Sequence, residues 1–393
     1  MPSPISPGHF NIAASERIVF GEPLDQAIIA EAKRYGVSRV FLTSTRSLAR
    51  LENGPLQRVE RALGAMHVGT HAEISSHSPR EDVLAGAAKA RAAKADLLVA
   101  IGGGSTIDAT KAMLMCLWMN IETIKGMEPY RAGIDGAEGR RVVAPADPIR
   151  MLAVSTTFSA SEFTSTAGIT LSATSTKQSF LHRLFAPRTV ILDPAATLDT
   201  PPWLLFATGI RAVDHSVESY CNPAANLATE AASLQGLRLL HRSLPAIKRD
   251  PADLTARMEA QFGMWQAIAA SVSGVGSGAS HGIGYALGAT FGVPHGHTSC
   301  VMLPAVLKWN AAVNSDRQKA LSEAMGSPDR PAGELVKELI AGLGQPTSLQ
   351  EVGITRDRLD EIAERALVYK PVRINPRPIK TAADVREILE IAW

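Results

Sequence analysis

The chain has 393 residues, is 46% hydrophobic and 20% charged, and carries a formal net charge of +2 from 40 basic and 38 acidic residues. That length allows two domains, each with its own core, and the balanced charge excludes the strong one-sign field of a nucleic-acid or membrane-surface binder. Three well-separated cysteines, Cys116, Cys221 and Cys300, fit a reducing cytoplasm and no disulfide framework.

In chain order, MPSPISPGHF (1–10) lacks a basic n-region and an apolar h-region, and reads as a short flexible lead and not a signal peptide. RIVFG (17–21) predicts a strand, and residues 24–35 a helix with Leu24, Ile28, Ile29 and Ala32 on its apolar face. VSRVFLTST (37–45) and HVGTHAEIS (67–75) predict further strands, REDVLAGAAKARAAKA (80–95) a helix, and DLLVAIGGG (96–104) a buried strand. A helix follows from Ser105, where AMLMCLWMNI is too short an apolar run to span a bilayer. Residues 121–149, rich in Gly, Pro and charge, predict a loop, and RMLAVSTT (150–157) another strand. This alternation predicts a parallel α/β sheet.

After DPAATLDTPP (193–202) the pattern changes to helical segments at 203–221, 225–248, 252–272, 279–290, 298–313, 316–325, 332–343 and 381–391. The expected division is an α/β dinucleotide-binding domain over 1–190 and an all-α domain over 191–393.

IGGGSTIDATKA (101–112) follows a strand and opens a helix. Gly102, Gly103 and Gly104 would let a backbone approach a pyrophosphate, and Ser105 begins a helix N-terminus with unpaired N–H groups. Asp108 and Lys111 share one face of its first turns. The spacing is not the GxGxxG fingerprint. VSTTFSASEFT (154–164) is a second hydroxyl-rich loop after a strand, in which Thr156, Thr157, Ser159 and Ser161 could donate to phosphates or a ribose, or simply cap a helix. Thr43 and Thr45, at the end of the strand 37–45, complete the expected cofactor site.

Histidines supply the second constellation. His9, His67, His71, His77 and His241 carry no accompanying signal. His281 and His295 each stand beside glycines in HGIGYALGATFGVPH, and His215 stands in GIRAVDHSVES. Imidazole is a common metal ligand.

Taken with RIVFG, SPREDV, IGGGSTIDATKA, STTFSASE, PRTVILDP, DHSVE, HGIGYALGATFGVPHG and NPRP (375–378), these motifs make the chain resemble the iron-containing (group III) alcohol dehydrogenase superfamily over nearly its full length. The resemblance implies a dehydroquinate synthase-like fold, an N-terminal NAD(P)-binding α/β domain, a helical C-terminal domain with the active site in the cleft between the two, and a homodimer. It also implies metal ligation by an Asp, a His four residues later and two further histidines. Here the histidines match His215, His281 and His295, but the Asp position is Arg211, and a second His usual four residues after His281 is Tyr285. STTFSASEFT is closer to the maleylacetate reductase branch, which resembles the others in fold and requires no metal.

A guanidinium is not a ligand, and it repels a dication. Arg211 could pair with Asp214 at i+3, or grip a substrate carboxylate or polarise a carbonyl. His215, His281, His295 and Tyr285 are then candidates for proton transfer. The leading expectation is a cytoplasmic NAD- or NADP-dependent reductase of a small, carboxylated carbonyl or enoate substrate, of the maleylacetate type found in aromatic catabolism. The alternatives are an iron- or zinc-dependent alcohol dehydrogenase with an altered ligand set, and a nucleotide-binding protein without catalysis. Thr45 followed by Arg46, where NAD-specific relatives carry an Asp, predicts that NADP is accepted.

Overall fold

A computed structural model describes residues 10–133, 139–174 and 176–393. Most of the expected N-terminal lead, including His9, lies outside the described residues, as does 134–138 within the expected loop. Two compact units emerge. One is α/β and comprises Ala13–Leu205 with Pro251–Gln261; the other is helical and comprises Phe206–Asp250 and Phe262–Trp393 with residues 10–12.

The α/β unit contains strands β1 (Arg17–Phe20), β2 (Val40–Thr43), β3 (His67–His71), β4 (Leu97–Gly102), β5 (Arg150–Ser155), β6 (Thr166–Leu171), β7 (Thr176–Leu181) and β8 (Thr189–Leu192). Among the described residues, six of them form one sheet in the order β1-β8-β5-β4-β2-β3, with every neighbouring pair parallel. A parallel sheet must be covered on both faces, so its inner strands β2, β4, β5 and β8 are buried almost along their whole length. Leu97, Val99 and Ile101 of β4 pack in one cluster with Leu24, Ile28 and Leu42. Leu98 and Ala100 face the opposite cluster, with Phe41, Ile107 and Met113. The chain leaves β2 toward β3 on one side and returns to β4 on the other. This order change between β2 and β4 is the switch point at which open α/β sheets bind ligands, beyond the carboxyl ends of the strands.

The expected strands and helices form, with ends trimmed. The strand expected to Ser75 stops at His71, and the helix expected from Ser105 starts at Gly104. β6 and β7, an antiparallel hairpin, were not anticipated. β7 reads Thr-Lys-Gln-Ser-Phe-Leu, and its buried positions are Gln178 and Phe180. Its inward face thus carries one apolar residue, and no alternation marks it. Gln178 is buried because it accepts a hydrogen bond from Arg80, itself fully buried, which also donates to Ile124 O at 3.1 Å and to Glu128 at 3.2 Å. The SPREDV motif therefore serves to seat the hairpin.

The expected division near residue 190 differs from these units. The α/β unit runs on to Leu205 and takes in Pro251–Gln261, because Arg257 donates to both oxygens of Thr197 and Gln261 to Asp193 O. In the helical unit the segments expected at 298–313 and 316–325 lie within His295–Ala324 and are parted where expected, by a kink at Asn314, whose backbone is not helical. Leu287, Met302, Trp309, Ile362, Val385 and Leu389 are part of its core. Cys116, Cys221 and Cys300 are all buried thiols. No helix among the described residues is long and apolar enough to cross a membrane.

Candidate active site

Gly102 pairs with Ser155 across β4 and β5, so the glycine loop and the hydroxyl loop leave the sheet side by side. Thr156 N donates to Gly102 O at 3.1 Å. A Cβ on Gly103 would stand 2.9 Å from Thr157 Cγ2, and one on Gly104 would stand 3.2 Å from Ser159 Oγ. These glycines therefore permit the two loops to touch. The helix Gly104–Trp118 starts at an N-cap, Gly103, that makes no side-chain capping bond. An uncapped helix N-terminus presents free N–H donors and a positive dipole end, which suits a phosphate.

Several residues expected to contact the cofactor have other partners. Lys111 is fully buried; its ammonium donates to Ser161 O at 2.7 Å, Thr164 Oγ1 at 2.8 Å, Thr166 O at 2.9 Å and Ser161 Oγ at 3.1 Å. Burial pulls its pKa below the ordinary lysine value, while Asp108 and Glu162 oppose that. Asp108 accepts from Ser161 and, at 3.0 Å, from Gly168 N. Thr43 is buried, with its hydroxyl 2.6 Å from Thr110 Oγ1. Lys111 and Asp108 thus staple the hydroxyl loop and β6 to the helix, and Thr43 ties β2 to it. Ser105 Oγ accepts from His77 N at 3.1 Å, Thr157 Oγ1 donates to Ser159 Oγ at 3.0 Å, and Thr156 is buried. Thr45 caps the short helix Arg46–Ala49, and Arg46 is exposed.

In the helical unit, Arg211, Asp214, His215 and Glu218 lie on the helix Pro202–Cys221, and His281 and Tyr285 on the helix Ala279–Phe291. Asp214 and Glu218, at i and i+4, share a face. Glu218 accepts from Gly278 N at 2.7 Å, Ser280 N at 2.6 Å and His281 Nδ1 at 2.7 Å. Asp214 accepts from Ser299 Oγ at 2.6 Å and Ser280 Oγ at 2.9 Å, and lies 3.3 Å from His281 Nδ1. Arg211, only 5% exposed, donates to Ser299 Oγ at 2.9 Å. Its i+3 approach to Asp214 is long, at 4.0 Å.

Charges in this enclosure set one another. Burial and Arg211 push the His281 pKa down, but Asp214 and Glu218 prevail and raise it. Burial would raise Asp214, yet His281 and Arg211 bring it below the ordinary value. His215 is held far below a free histidine by burial, then by His281 and Arg211, and is neutral. Burial raises the Tyr285 hydroxyl and Arg211 pulls against it.

The structure brings His215 and His281 together. Their rings are 4.5 Å apart, and Tyr285 lies edge-on 6.4 Å from His281 and stacks parallel on His295 at 6.2 Å. His295 opens its helix at the surface. Among the described residues, the cluster with metal-ligand chemistry is Asp214, Glu218 and His281. Its 2.7 Å Nδ1–Oε2 separation is that of a hydrogen bond; two ligands of one tetrahedral zinc stand about 3.4 Å apart. Glu218 was missed in the sequence, although its spacing from Asp214 was the available signal.

Models of known families match both parts of the chain: iron-containing alcohol dehydrogenase over residues 15–194, and the C-terminal part of the Fe-containing alcohol dehydrogenase family over 205–393. Dehydrogenase FUM7 of Gibberella moniliformis is 30% identical, covering 96% of this chain and 95% of its own. Maleylacetate reductase 1 of Rhodococcus opacus is 31% identical, covering 96% and 94%. The crystal structure of maleylacetate reductase from Agrobacterium tumefaciens superposes with a TM-score of 0.82 at 26% identity, covering 99% of each chain.

Glu162, beside Lys111, is fully buried. Burial pushes its pKa up to about 7, against hydrogen bonds from its own backbone N–H and from Ser155 and the weaker pull of Lys111. A carboxyl raised on folding binds a proton that the unfolded chain releases, so stability falls as pH rises from about 4.5 to about 7 and levels off above that. Urea titrations across this range should show a loss of up to about 3 kcal/mol, and Glu162→Gln should flatten the slope.

Proposed function

Because the chain belongs to the iron-containing alcohol dehydrogenase family of oxidoreductases, we propose that it is an NAD(P)-dependent reductase of a small carboxylated carbonyl or enoate, maleylacetate-like in chemistry, with no required metal. The observation that carries this reading is Arg211. Its guanidinium is buried among Asp214, Ser299 and Tyr285, at the position where metal-dependent relatives are expected to place a carboxylate ligand. Such a fork suits a carboxylate or a polarised oxygen. Relatives named maleylacetate reductase support a carboxylated substrate.

The donor set does not suit an ion. A guanidinium stands in it, His281 Nδ1 is committed to Glu218, and His295 is exposed against Tyr285. The uncapped N-terminus after Gly102–Gly104 suits a pyrophosphate, with Ser105, Thr156, Thr157 and Thr45 beside or near the loops that would hold it; Thr43, Asp108, Lys111 and Ser161 shape those loops. Held there, a reduced nicotinamide would supply hydride chemistry for an electrophilic carbon. The chain supplies the proton: His281 Nε2, or the Tyr285 hydroxyl that burial keeps protonated, donates to the oxygen of a carbonyl or to the second carbon of an enoate. We place the protein in the cytoplasm as a homodimer, in keeping with its buried unpaired thiols.

A second reading, a metal-dependent alcohol dehydrogenase, has one observation in its favour. Asp214 Oδ1, His215 Nδ1 and His281 Nε2 are buried without hydrogen-bond partners. Elemental analysis with activity measured before and after chelation separates the two: we expect no stoichiometric ion and no loss, and an ion whose removal abolishes turnover establishes the second.

Arg211→Ala should raise KM for acidic substrates on the order of 10–100-fold, the worth of a charge-assisted hydrogen bond, and change KM for neutral carbonyls less than threefold. Equal effects on both would refute the carboxylate role. Thr45 and the exposed Arg46 leave no carboxylate to repel a 2′-phosphate, so turnover is expected with NADPH as well as NADH; strict NADH use contradicts this.

A further inference from the structure

We infer that Glu218 is a positioning residue: its carboxylate keeps a proton on His281 Nδ1 and so reserves Nε2 for proton exchange with the substrate. The kinetic part of this inference rests on the reductase reading; the tautomer does not.

The geometry leaves Glu218 little freedom. Its two oxygens accept three N–H groups, from Gly278, Ser280 and His281, at 2.6–2.7 Å. Two of the donors belong to the opening of the helix Ala279–Phe291, at its N-cap and second residue. A carboxyl group whose two oxygens each accept a backbone N–H at a helix N-terminus is anchored as an acceptor. An ionised carboxylate only accepts, so the facing nitrogen of His281 must donate. Gly278 admits this arrangement, since a Cβ there would come 2.9 Å from Glu218 Oε1. Asp214 also faces Nδ1, at 3.3 Å, but it is shared with the hydroxyls of Ser280 and Ser299.

His281 Nε2 is the opposite case, buried and without a partner. An unpaired buried nitrogen is costly, and a substrate oxygen would relieve that cost. When Nε2 gives its proton to the substrate, the ring returns to the neutral Nδ1–H form that Glu218 favours, and a proton from solvent later restores Nε2. No tautomer change is needed within the cycle.

The test uses the full-length protein with 15N-labelled histidine. In the wild type, the Nδ1 resonance of His281, assigned by its loss in His281→Asn, should be that of a protonated nitrogen from pH 6 to 9. A bare Nδ1 overturns the inference whatever the substrate. In Glu218→Gln the amide offers one acceptor oxygen where three donors need two, so the hold on Nδ1 fails. We expect kcat to fall about 10²–10⁴-fold, as when a histidine loses the carboxylate that fixes its tautomer, with KM within threefold and a shifted pH–rate profile. Glu218→Asp should recover at least tenfold of the loss. Gly278→Ala, which displaces the carboxylate without changing its charge, should lower kcat in the same direction. If Glu218→Gln keeps kcat within threefold, or if Glu218→Asp is no better while both variants lose thermal stability alike, Glu218 is only structural. If no substrate is turned over, the reductase reading fails and the resonance still decides the tautomer.

Discussion

Charge balance inside an enclosed space governs the helical unit. Asp214 and Glu218 are buried on one face of one helix, and like charges so placed are tolerable only with compensation. Arg211, His281 and the N-terminus of the helix Ala279–Phe291 supply it. The Gly278–Ser280 turn brings backbone N–H groups to Glu218, and Ser280 and Ser299 satisfy one oxygen, Oδ2, of Asp214. Removing one partner leaves another charged and buried, so the cluster behaves as a single element, and the arginine is part of that balance.

The same physics appears in the α/β unit with a different outcome. Lys111 is as buried as any apolar side chain, and its ammonium is surrounded by oxygens of the hydroxyl loop and β6. It binds structure where a surface lysine would bind a phosphate. Glycine likewise serves packing before it serves a ligand, since side chains at Gly103 and Gly104 would press into Thr157 and Ser159. What remains for an anion is the uncapped helix N-terminus, a backbone feature held in place by those side-chain contacts.

Much of this was legible in the amino-acid order. The apolar runs of β2, β4 and β5, the glycine turn and the helical periods placed the sheet and most of the helices. The motif around His215, His281 and His295 identified the family. The hairpin of β6 and β7 was not legible, because burial of Gln178 depends on Arg80, 98 residues away. Glu218 was passed over because an acid on a helix is ordinarily a solvated residue, and only its contacts with the turn at 278–280 make it otherwise. Lys111 and Asp108 were found as a pair but not in their role.

By itself the sequence determined the order of strands and helices, the loops of glycine and hydroxyl residues, and the replacement of a ligand by Arg211, since periodicity and residue chemistry are local properties. The tertiary structure decided which polar atoms are spent on one another and which are left over. It joined Glu218 to His281, set Tyr285 against both His281 and His295, and turned Lys111 inward. Each outcome depends on contacts between residues remote in sequence, formed when water is excluded and every buried charge must find a partner.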